Sequence, residues 1–258
     1  MATKFFGGTI YLGNHSYTDC LYVDDAGLVA SKETWGESPN KVEVNLDGAF
    51  IAPAFRDAHA HPLFAGRESL GADISGLDSI EEIGAKLLEY SKSKKQLAWL
   101  DAASYDRNLA GQLTRRALDA FVSEIPVVLH AEDHHTLWVN SKALEIAGLL
   151  DGELPVLTEG GIDLDEQGLP TGILREWQAM QLVLSKAPKQ TITEDVEALL
   201  NAEKMLLAAG IIEVQDAWIE RGMAEVYLAA EEQLQIDYKL AFRVDAATFD
   251  NDFEYASE

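Results

Sequence analysis

The sequence has little cysteine, little positive charge and no long apolar segment, and each shortage excludes a class of protein. Its single cysteine, Cys20, rules out an internal disulfide. Lysine and arginine number 20 against 44 aspartates and glutamates, so a net charge of −24 repels phosphate backbones and anionic membrane surfaces. No segment reaches the roughly 18 uninterrupted apolar residues of a membrane span. We therefore expect neither nucleic acid nor a membrane as a partner of this acidic protein.

The first residues also lack the pattern of a secretory signal. Met1 to Leu12 contains one lysine, and Gly7 and Gly8 interrupt an apolar run that is too short for an h-region. The expected location is therefore the cytoplasm. With 258 residues, 47% of them hydrophobic, the chain can bury one substantial core, and a homo-oligomer is compatible with this composition.

The pattern of apolar residues changes near Ala52. Before it, short β-prone runs are separated by Gly, Asn and Asp, which predicts a small β domain over residues 1–52. After it, strand-like runs alternate with helical periodicity, the pattern of βα units. Five runs are candidate barrel strands: Phe55–Ala60, Leu97–Ser104, Pro126–His130, Ile211–Gln215 and Lys239–Val244.

A closed (β/α)₈ barrel needs eight strands, three more than these candidates. The predicted fold is therefore α/β: an incomplete TIM-like barrel over residues 53–258, preceded by a β-sandwich-like unit. The missing strands would lie beyond Glu258 or come from another chain. Three helices are predicted: one from a capping box at Ser79, one from an N-cap at Thr193 to Gly210, and one over Tyr227–Gln235.

The residues that point most directly to chemistry are His59 and His61, at the end of the first barrel strand. Side chains at i and i+2 of a strand share one face, so two imidazoles can converge on one cation. Neutral imidazole suits Zn²⁺ and other borderline divalent ions, and Asp57 has the parity to orient a histidine. The alternative is a chance pair of surface or hydrogen-bonded histidines.

This segment resembles the opening barrel strand of the amidohydrolase superfamily, Pro-Gly-Phe-x-Asp-x-His-x-His. The preceding Asp24-Asp-Ala-Gly and Leu46-Asp-Gly are similar to that superfamily's N-terminal β unit. The sequence departs from the pattern at two positions, Ala54 for glycine and Arg56 for an apolar residue. The matching residues are Pro53, Phe55, Asp57, His59 and His61.

Later segments resemble the amidohydrolase family 3 branch and are similar to N-substituted formamide deformylases. Asp133-His-His followed by Val139-Asn-Ser-Lys-Ala-Leu resembles the branch's Asp-Gly-His…Val-Asn-Ser-x-Ala-Leu, with His134 replacing glycine. The other matching segments are Ser104-Tyr-Asp, Thr114-Arg-Arg-Ala-Leu-Asp, Pro126-Val-Val-Leu-His, Gly168-Leu-Pro-Thr-Gly-Ile-Leu-Arg-Glu and Gln215-Asp-Ala.

The resemblance implies which residues form the site. His135, Tyr105, Asp106 and Asn140 are candidates for substrate binding, because βα loops form the active site of a barrel. A capping role for Asn140 and core packing for Tyr105 are the alternatives. Glu176 is the candidate third metal ligand, with a surface ion pair as its alternative.

Two further interpretations concern residues outside these candidates. His130 is interpreted as a hydrogen-bonded strand residue, and Asp216 as a residue that closes the pocket or forms a turn.

The implied activity is hydrolysis of a small-molecule amide or formamide-like C–N bond by metal-activated water. The expected cofactor is a divalent metal, with zinc before iron or manganese. The family's remaining ligands and general base have no match up to Glu258, so the chain alone is expected to be inactive. The alternative is a noncatalytic relative that acts as a binding module. A phosphate or sugar binder lacks support because no Gly-rich phosphate loop is present.

Overall fold

The computed structural model describes residues 1–94, 97–109, 113–244 and 249–257. The fold is mixed α/β, as the alternating patterns predict. The chain divides into two compact units. Unit 1 consists of Met1–Asp57 and Ala209–Glu213, and unit 2 of Ala58–Ala208 and Val214–Glu258. Among the described residues, no helix is both long and apolar enough to span a membrane.

Unit 1 contains a five-stranded sheet. Its order is β3-β2-β1-β4, and β5 pairs with the second half of β1. The β1–β2 hairpin closes through Asn14 and His15, whose φ angles of 48° and 59° give the tight turn that right-handed strand twist favours. One helix, α1 (Lys32–Glu37), precedes β4. The strands are β1 (Ala2–Gly13), β2 (Ser16–Val23), β3 (Val29–Ala30), β4 (Lys41–Asn45) and β5 (Phe50–Ile51).

The remaining strands form two sheets, ordered β11-β12-β10-β9-β8-β7 and β14-β13-β6. Strands β7, β8 and β9 pair in parallel, as βα units do, whereas β9-β10-β12-β11 continues in antiparallel fashion. Their bounds are β6 (Phe55–Ala60), β7 (Ala72–Asp73), β8 (Leu100–Tyr105), β9 (Val127–Ala131), β10 (Thr136–Val139), β11 (Gly161–Leu164), β12 (Pro170–Arg175), β13 (Ile211–Ile219) and β14 (Asp237–Phe242).

The helices that follow α1 in the described residues belong to unit 2. Helix α3 begins after Ser79, whose hydroxyl accepts a hydrogen bond from the Glu82 backbone N–H, which confirms the predicted cap. The bounds are α2 (Pro62–Ser69), α3 (Ile80–Ser93), α4 (Arg115–Asp119), α5 (Ser141–Ile146), α6 (Glu176–Leu184), α7 (Ile192–Ala208), α8 (Met223–Ala230) and α9 (Phe249–Ser257).

The predicted N-cap of the longest helix was wrong by two residues. The cap is Thr191 and not Thr193, because the Thr191 hydroxyl accepts from the Glu194 backbone N–H at 3.3 Å. The Glu194 carboxylate in turn accepts from the Thr191 backbone N–H at 2.8 Å. This reciprocal pair satisfies two N–H groups at the helix start and makes Thr-Ile-Thr-Glu the capping box.

The bounds predicted for the next helix, Tyr227–Gln235, were also wrong. Helix α8 starts at Met223, after Gly222 with its φ of 88°, and ends at Ala230. Beyond Ala230 the buried Glu203 carboxylate accepts hydrogen bonds from the backbone N–H groups of Gln235 and Ile236. Those bonds direct the chain out of the helix and toward β14.

A buried cluster holds α2, the helix that follows His61, against its neighbours. Leu63 of α2 packs with Leu199 of α7 and with Val226 of α8. The α2–α7 crossing is close, since a Cβ atom built on Gly66 would lie 2.1 Å from the Ala198 carbonyl oxygen. The end of β6 is therefore attached to a well-packed helix.

Candidate metal centre

The structure brings the two predicted metal-binding imidazoles together. His59 lies in β6, and His61 is the residue directly after that strand. Their ring centroids lie 5.3 Å apart, with an interplanar angle of 78°. His61 also serves as the N-cap residue of α2, and its ring lies 6.2 Å from that of Phe64. The two rings are therefore neighbours, as i and i+2 side chains on one face of a strand are, and their role as metal ligands stays a prediction.

A buried carboxylate lies behind His61. Asp216 on β13 is fully buried, and its Oδ1 is 3.6 Å from His61 Nδ1, just beyond hydrogen-bond length. His61 Nδ1 is itself buried and has no hydrogen-bond partner in the described part of the chain. The His61 side chain as a whole is 40% exposed, so atoms other than Nδ1 carry that exposure.

Two donors hold Asp216 in place. The Tyr227 hydroxyl donates to Oδ2 at 2.6 Å, and the Trp218 backbone N–H donates to Oδ1 at 3.1 Å. Burial raises the pKa of Asp216, while these two hydrogen bonds and His61 oppose that shift. Of the two interpretations of Asp216, the turn is contradicted because the residue lies within β13, and its role in closing the pocket stays a prediction.

A second pair of predicted residues meets at His135 and Glu176. His135 Nδ1 lies 3.0 Å from Glu176 Oε2, and the Glu176 backbone N–H donates to the His135 carbonyl oxygen. The hydrogen bond to Glu176 raises the pKa of His135. Both side chains are exposed, at 67% and 42%. Glu176 is thus found with His135, and its role as a metal ligand stays a prediction.

Backbone conformation explains why glycine stands at one of the family positions. His134 has a φ of 56°, in the left-handed region that glycine adopts without steric cost. Its Nδ1 lies 3.3 Å from Glu68 Oε1, so the side chain contacts a carboxylate that glycine could not reach. Glu176 shares this strained conformation, with a φ of 64°.

The other three predicted substrate-binding residues are Tyr105, Asp106 and Asn140, and each makes different contacts. Tyr105 is fully buried in the core beside Trp138, with ring centroids 5.8 Å apart, and burial raises its pKa. Asp106 is exposed and accepts two hydrogen bonds from Asn108 in the turn after β8. Asn140 is fully buried and caps α5 through the Ala143 backbone N–H. Their roles in substrate binding stay predictions.

A further group of titratable residues surrounds His130, which lies in β9 as predicted. His130 Nε2 is 3.6 Å from Asp101 Oδ1, and its ring is 6.3 Å from that of His134. Burial lowers the pKa of His130, but the carboxylates of Asp101 and Glu68 outweigh burial and raise it overall. These imidazoles and carboxylates link α2, which carries Glu68, to β8 and β9, which carry Asp101 and His130.

The unusual charge at position 56 is not buried. Arg56 is 74% exposed, and its Nε lies 3.0 Å from Glu213 Oε2 within unit 1. The arginine therefore replaces an apolar residue at little desolvation cost.

Solved structures share this fold. Crystal structures of uncharacterized metal-dependent hydrolases from Pyrococcus furiosus and Pyrococcus horikoshii OT3 match 94% and 93% of the chain, with TM-scores of 0.65 and 0.64. Sequence identity is 20% and 22%, and the matches cover 50% and 48% of those chains. The chain therefore has the fold of this class of metal-dependent hydrolases.

Sequence comparison defines the family. The model of the amidohydrolase family, branch 3, matches residues 42–256. YtcJ of Bacillus subtilis (strain 168) is 31% identical over 82% of this chain and 41% of its own length. The exoenzymes regulatory protein AepA of Pectobacterium carotovorum is 26% identical over 94% of this chain and 57% of its own. The chain belongs to the amidohydrolase family and spans about half the length of these relatives.

Family membership supports a divalent metal, and part of the local geometry fits one. His59 and His61 provide two adjacent imidazoles, and the buried Nδ1 of His61 faces a carboxylate, as metal-binding histidines commonly do. In the described part of the chain, no three histidine, cysteine, aspartate or glutamate side chains are grouped to hold a metal. The residues present therefore fit two ligands and one supporting carboxylate.

Sequence reasoning missed Tyr227 as part of this centre. The sequence predicts Tyr227 only as a helix residue, because its hydrogen bond to Asp216 depends on how α8 packs against β13. The one available signal was a polar hydroxyl on the buried face of α8, which needs a hydrogen-bond partner when it is buried.

Proposed function

We propose that this chain forms the N-terminal part of a metal-dependent hydrolase that cleaves a non-peptide C–N bond in a small amide or formamide-like substrate. The observation that carries the proposal is the adjacent pair of imidazoles at His59 and His61, with Asp216 behind His61. Membership of the amidohydrolase family and the fold of metal-dependent hydrolases support the reaction class.

The proposed architecture is the first part of a TIM-like barrel together with a small β domain. Support comes from the parallel pairing of β7, β8 and β9, each joined to the next by a helix-containing segment, and from the separate sheet of unit 1. In such a barrel the loops that follow the strands form the active site. His61 and Asp106 each follow a strand end, β6 and β8 respectively.

His59 and His61 would hold a divalent cation, zinc in our proposal, and Asp216 would orient His61. When bound, the cation would supply a water whose pKa is lowered to about 7 and a Lewis acid for the substrate carbonyl. His135 has an exposed ring held by Glu176, which suits it to contact a polar group of the substrate. The products are an amine and a carboxylic acid.

The test measures metal content in the full 258-residue chain. The protein and a His59→Ala/His61→Ala double variant are loaded with Zn²⁺, desalted and analysed by inductively coupled plasma mass spectrometry. We expect the wild type to retain metal in a fixed ratio and the double variant to lose it. The matched control is His15→Ala, which removes an exposed histidine from the hairpin turn of unit 1 and should leave metal content unchanged.

A second measurement addresses the reaction. Amine release is followed from a panel of formamides and N-acyl amines, with and without Zn²⁺. Equal metal content in the wild type and the double variant would contradict the metal site. Because the chain alone is expected to be inactive, metal that depends on the two histidines without hydrolysis of any amide would support the metal site and leave the reaction to be tested in a longer protein.

A further inference from the structure

We infer that Tyr227 is a positioning residue that acts through Asp216 to keep the neutral His61 protonated at Nδ1, which leaves Nε2 free to bind a divalent cation. The inference rests on the proposed function, because only a metal-binding His61 requires this tautomer. It assigns a role to a tyrosine on a different helix from the histidine that it serves.

The first step is the position of the His61 ring. Its Nδ1 is buried and faces Asp216 Oδ1 at 3.6 Å. A carboxylate only accepts hydrogen bonds, so a neutral imidazole gains from carrying its proton on the nitrogen that faces it. The lone pair then lies on Nε2, the nitrogen that is free to bind a metal ion.

The second step is how Asp216 is held. A carboxylate can rotate about its Cβ–Cγ bond, and rotation would take Oδ1 away from His61. The Tyr227 hydroxyl donates to Oδ2 at 2.6 Å and the Trp218 backbone N–H donates to Oδ1 at 3.1 Å, so each oxygen has its own donor. The Tyr227–Asp216 bond is short and charge-assisted, which makes it the stronger constraint.

The third step is that Tyr227 is itself rigid. It is 5% exposed and packs in the cluster that contains Leu63 of α2, close in sequence to His61. Its ring contacts that of Tyr238 with centroids 5.2 Å apart. Burial raises the pKa of Tyr227, so the hydroxyl keeps its proton and remains a donor.

Tyr227→Phe removes the hydroxyl and keeps the ring. The matched control is Tyr238→Phe, because the neighbouring Tyr238 hydroxyl bonds Glu203 at 3.5 Å and not Asp216. Asp216→Asn is the second variant, since it keeps the side-chain volume and removes the charge that faces His61. Thermal unfolding of each variant establishes that it is folded before the comparison.

The first readout needs no metal. Two-bond ¹H–¹⁵N correlation spectra of the metal-free protein, recorded where the imidazoles are neutral, report which nitrogen of each histidine carries the proton. His61→Gln identifies the His61 signals. We expect the Nδ1–H form of His61 in the wild type and in Tyr238→Phe, and a shift toward the Nε2–H form in Tyr227→Phe and Asp216→Asn.

The second readout is Zn²⁺ affinity, measured by competition with a chromophoric chelator. We expect Tyr227→Phe to weaken binding about 10- to 100-fold, the range found for residues that orient metal ligands, and Tyr238→Phe to leave it unchanged. An unaltered His61 tautomer in Tyr227→Phe would overturn the inference. A wild-type protein that shows the expected tautomers but binds no Zn²⁺ would instead refute the proposed function and leave the role of Tyr227 in place.

Discussion

Replacing Asn140 by alanine tests whether this residue holds the sheet together or is available to a substrate. Its carboxamide is fully buried and makes four hydrogen bonds to backbone groups. Oδ1 accepts from the N–H groups of Val127 and Ala143, at 3.0 and 2.9 Å. Nδ2 donates to the carbonyl oxygens of Val122 and Ile125, both at 2.9 Å. One side chain thus joins the start of β9, the start of α5 and the loop before β9.

The expected loss follows from these four bonds. Removing a helix N-cap costs about 1 kcal/mol of unfolding free energy. Each further buried backbone group left without a partner costs about 1–3 kcal/mol. The N-cap and the buried groups of Val127 and Val122 therefore give, at the low end of these values, a loss of about 3 kcal/mol for Asn140→Ala. That is a large part of the roughly 5–15 kcal/mol by which domains are stable.

The assay is urea unfolding followed by far-ultraviolet circular dichroism. The control is Asn108→Ala, which removes an exposed asparagine that bonds Asp106, and which should change the unfolding free energy by less than about 0.5 kcal/mol. If Asn140→Ala unfolds within about 1 kcal/mol of wild type, the bonds do not have the energies assigned to buried groups. Asn140 would then be dispensable to the fold, and substrate binding would be the better explanation of its role.

Two further predictions concern α2. Gly66→Ala should lower the urea midpoint markedly, because the new Cβ would lie 2.1 Å from the Ala198 carbonyl oxygen. The control is Gly36→Ala, whose new Cβ would meet nothing within 4 Å. Equal midpoints for the two variants would contradict the close crossing of α2 and α7. Burial raises the pKa of Glu68, so its ionised form opposes folding and stability should fall as pH rises above its unfolded value of about 4.3. Glu68→Gln should reduce the loss of unfolding free energy between pH 4 and 7. The control Glu81→Gln, at an exposed position, should leave that loss unchanged. Parallel pH profiles for the two variants would contradict the effect of burial on Glu68.

Local patterns predicted the elements whose signals lie within a few residues. The strand predicted at Phe55–Ala60 has those bounds in the structure, and the helix capped by Ser79 begins where its capping box stands. These features depend on strand parity and on backbone N–H groups near the cap, both of which are read from adjacent residues. The Thr191 cap obeys the same rule, since Thr191 and not Thr193 stands three residues before Glu194.

The antiparallel part of the large sheet could not be read in the same way. Strands β10 and β12 are short and largely buried, so they lack the alternation that marks a half-exposed strand. Their pairing, Leu137 with Leu174 and Trp138 with Ile173, joins segments that are distant in sequence. Such contacts are selected by the packing of the whole core, and local propensity carries little information about them.

The candidate metal centre also has one part that a local motif predicts and one part that depends on the tertiary fold. The approach of His59 to His61 follows from two-residue spacing on one strand, so a sequence motif is sufficient to expect it. The carboxylate behind His61 comes from β13, and its donor Tyr227 comes from α8, so their convergence depends on the tertiary fold. A His-x-His motif therefore indicates where a cation could bind, whereas the residues that set which imidazole nitrogen is free to bind it can be identified only once the strands and helices are placed.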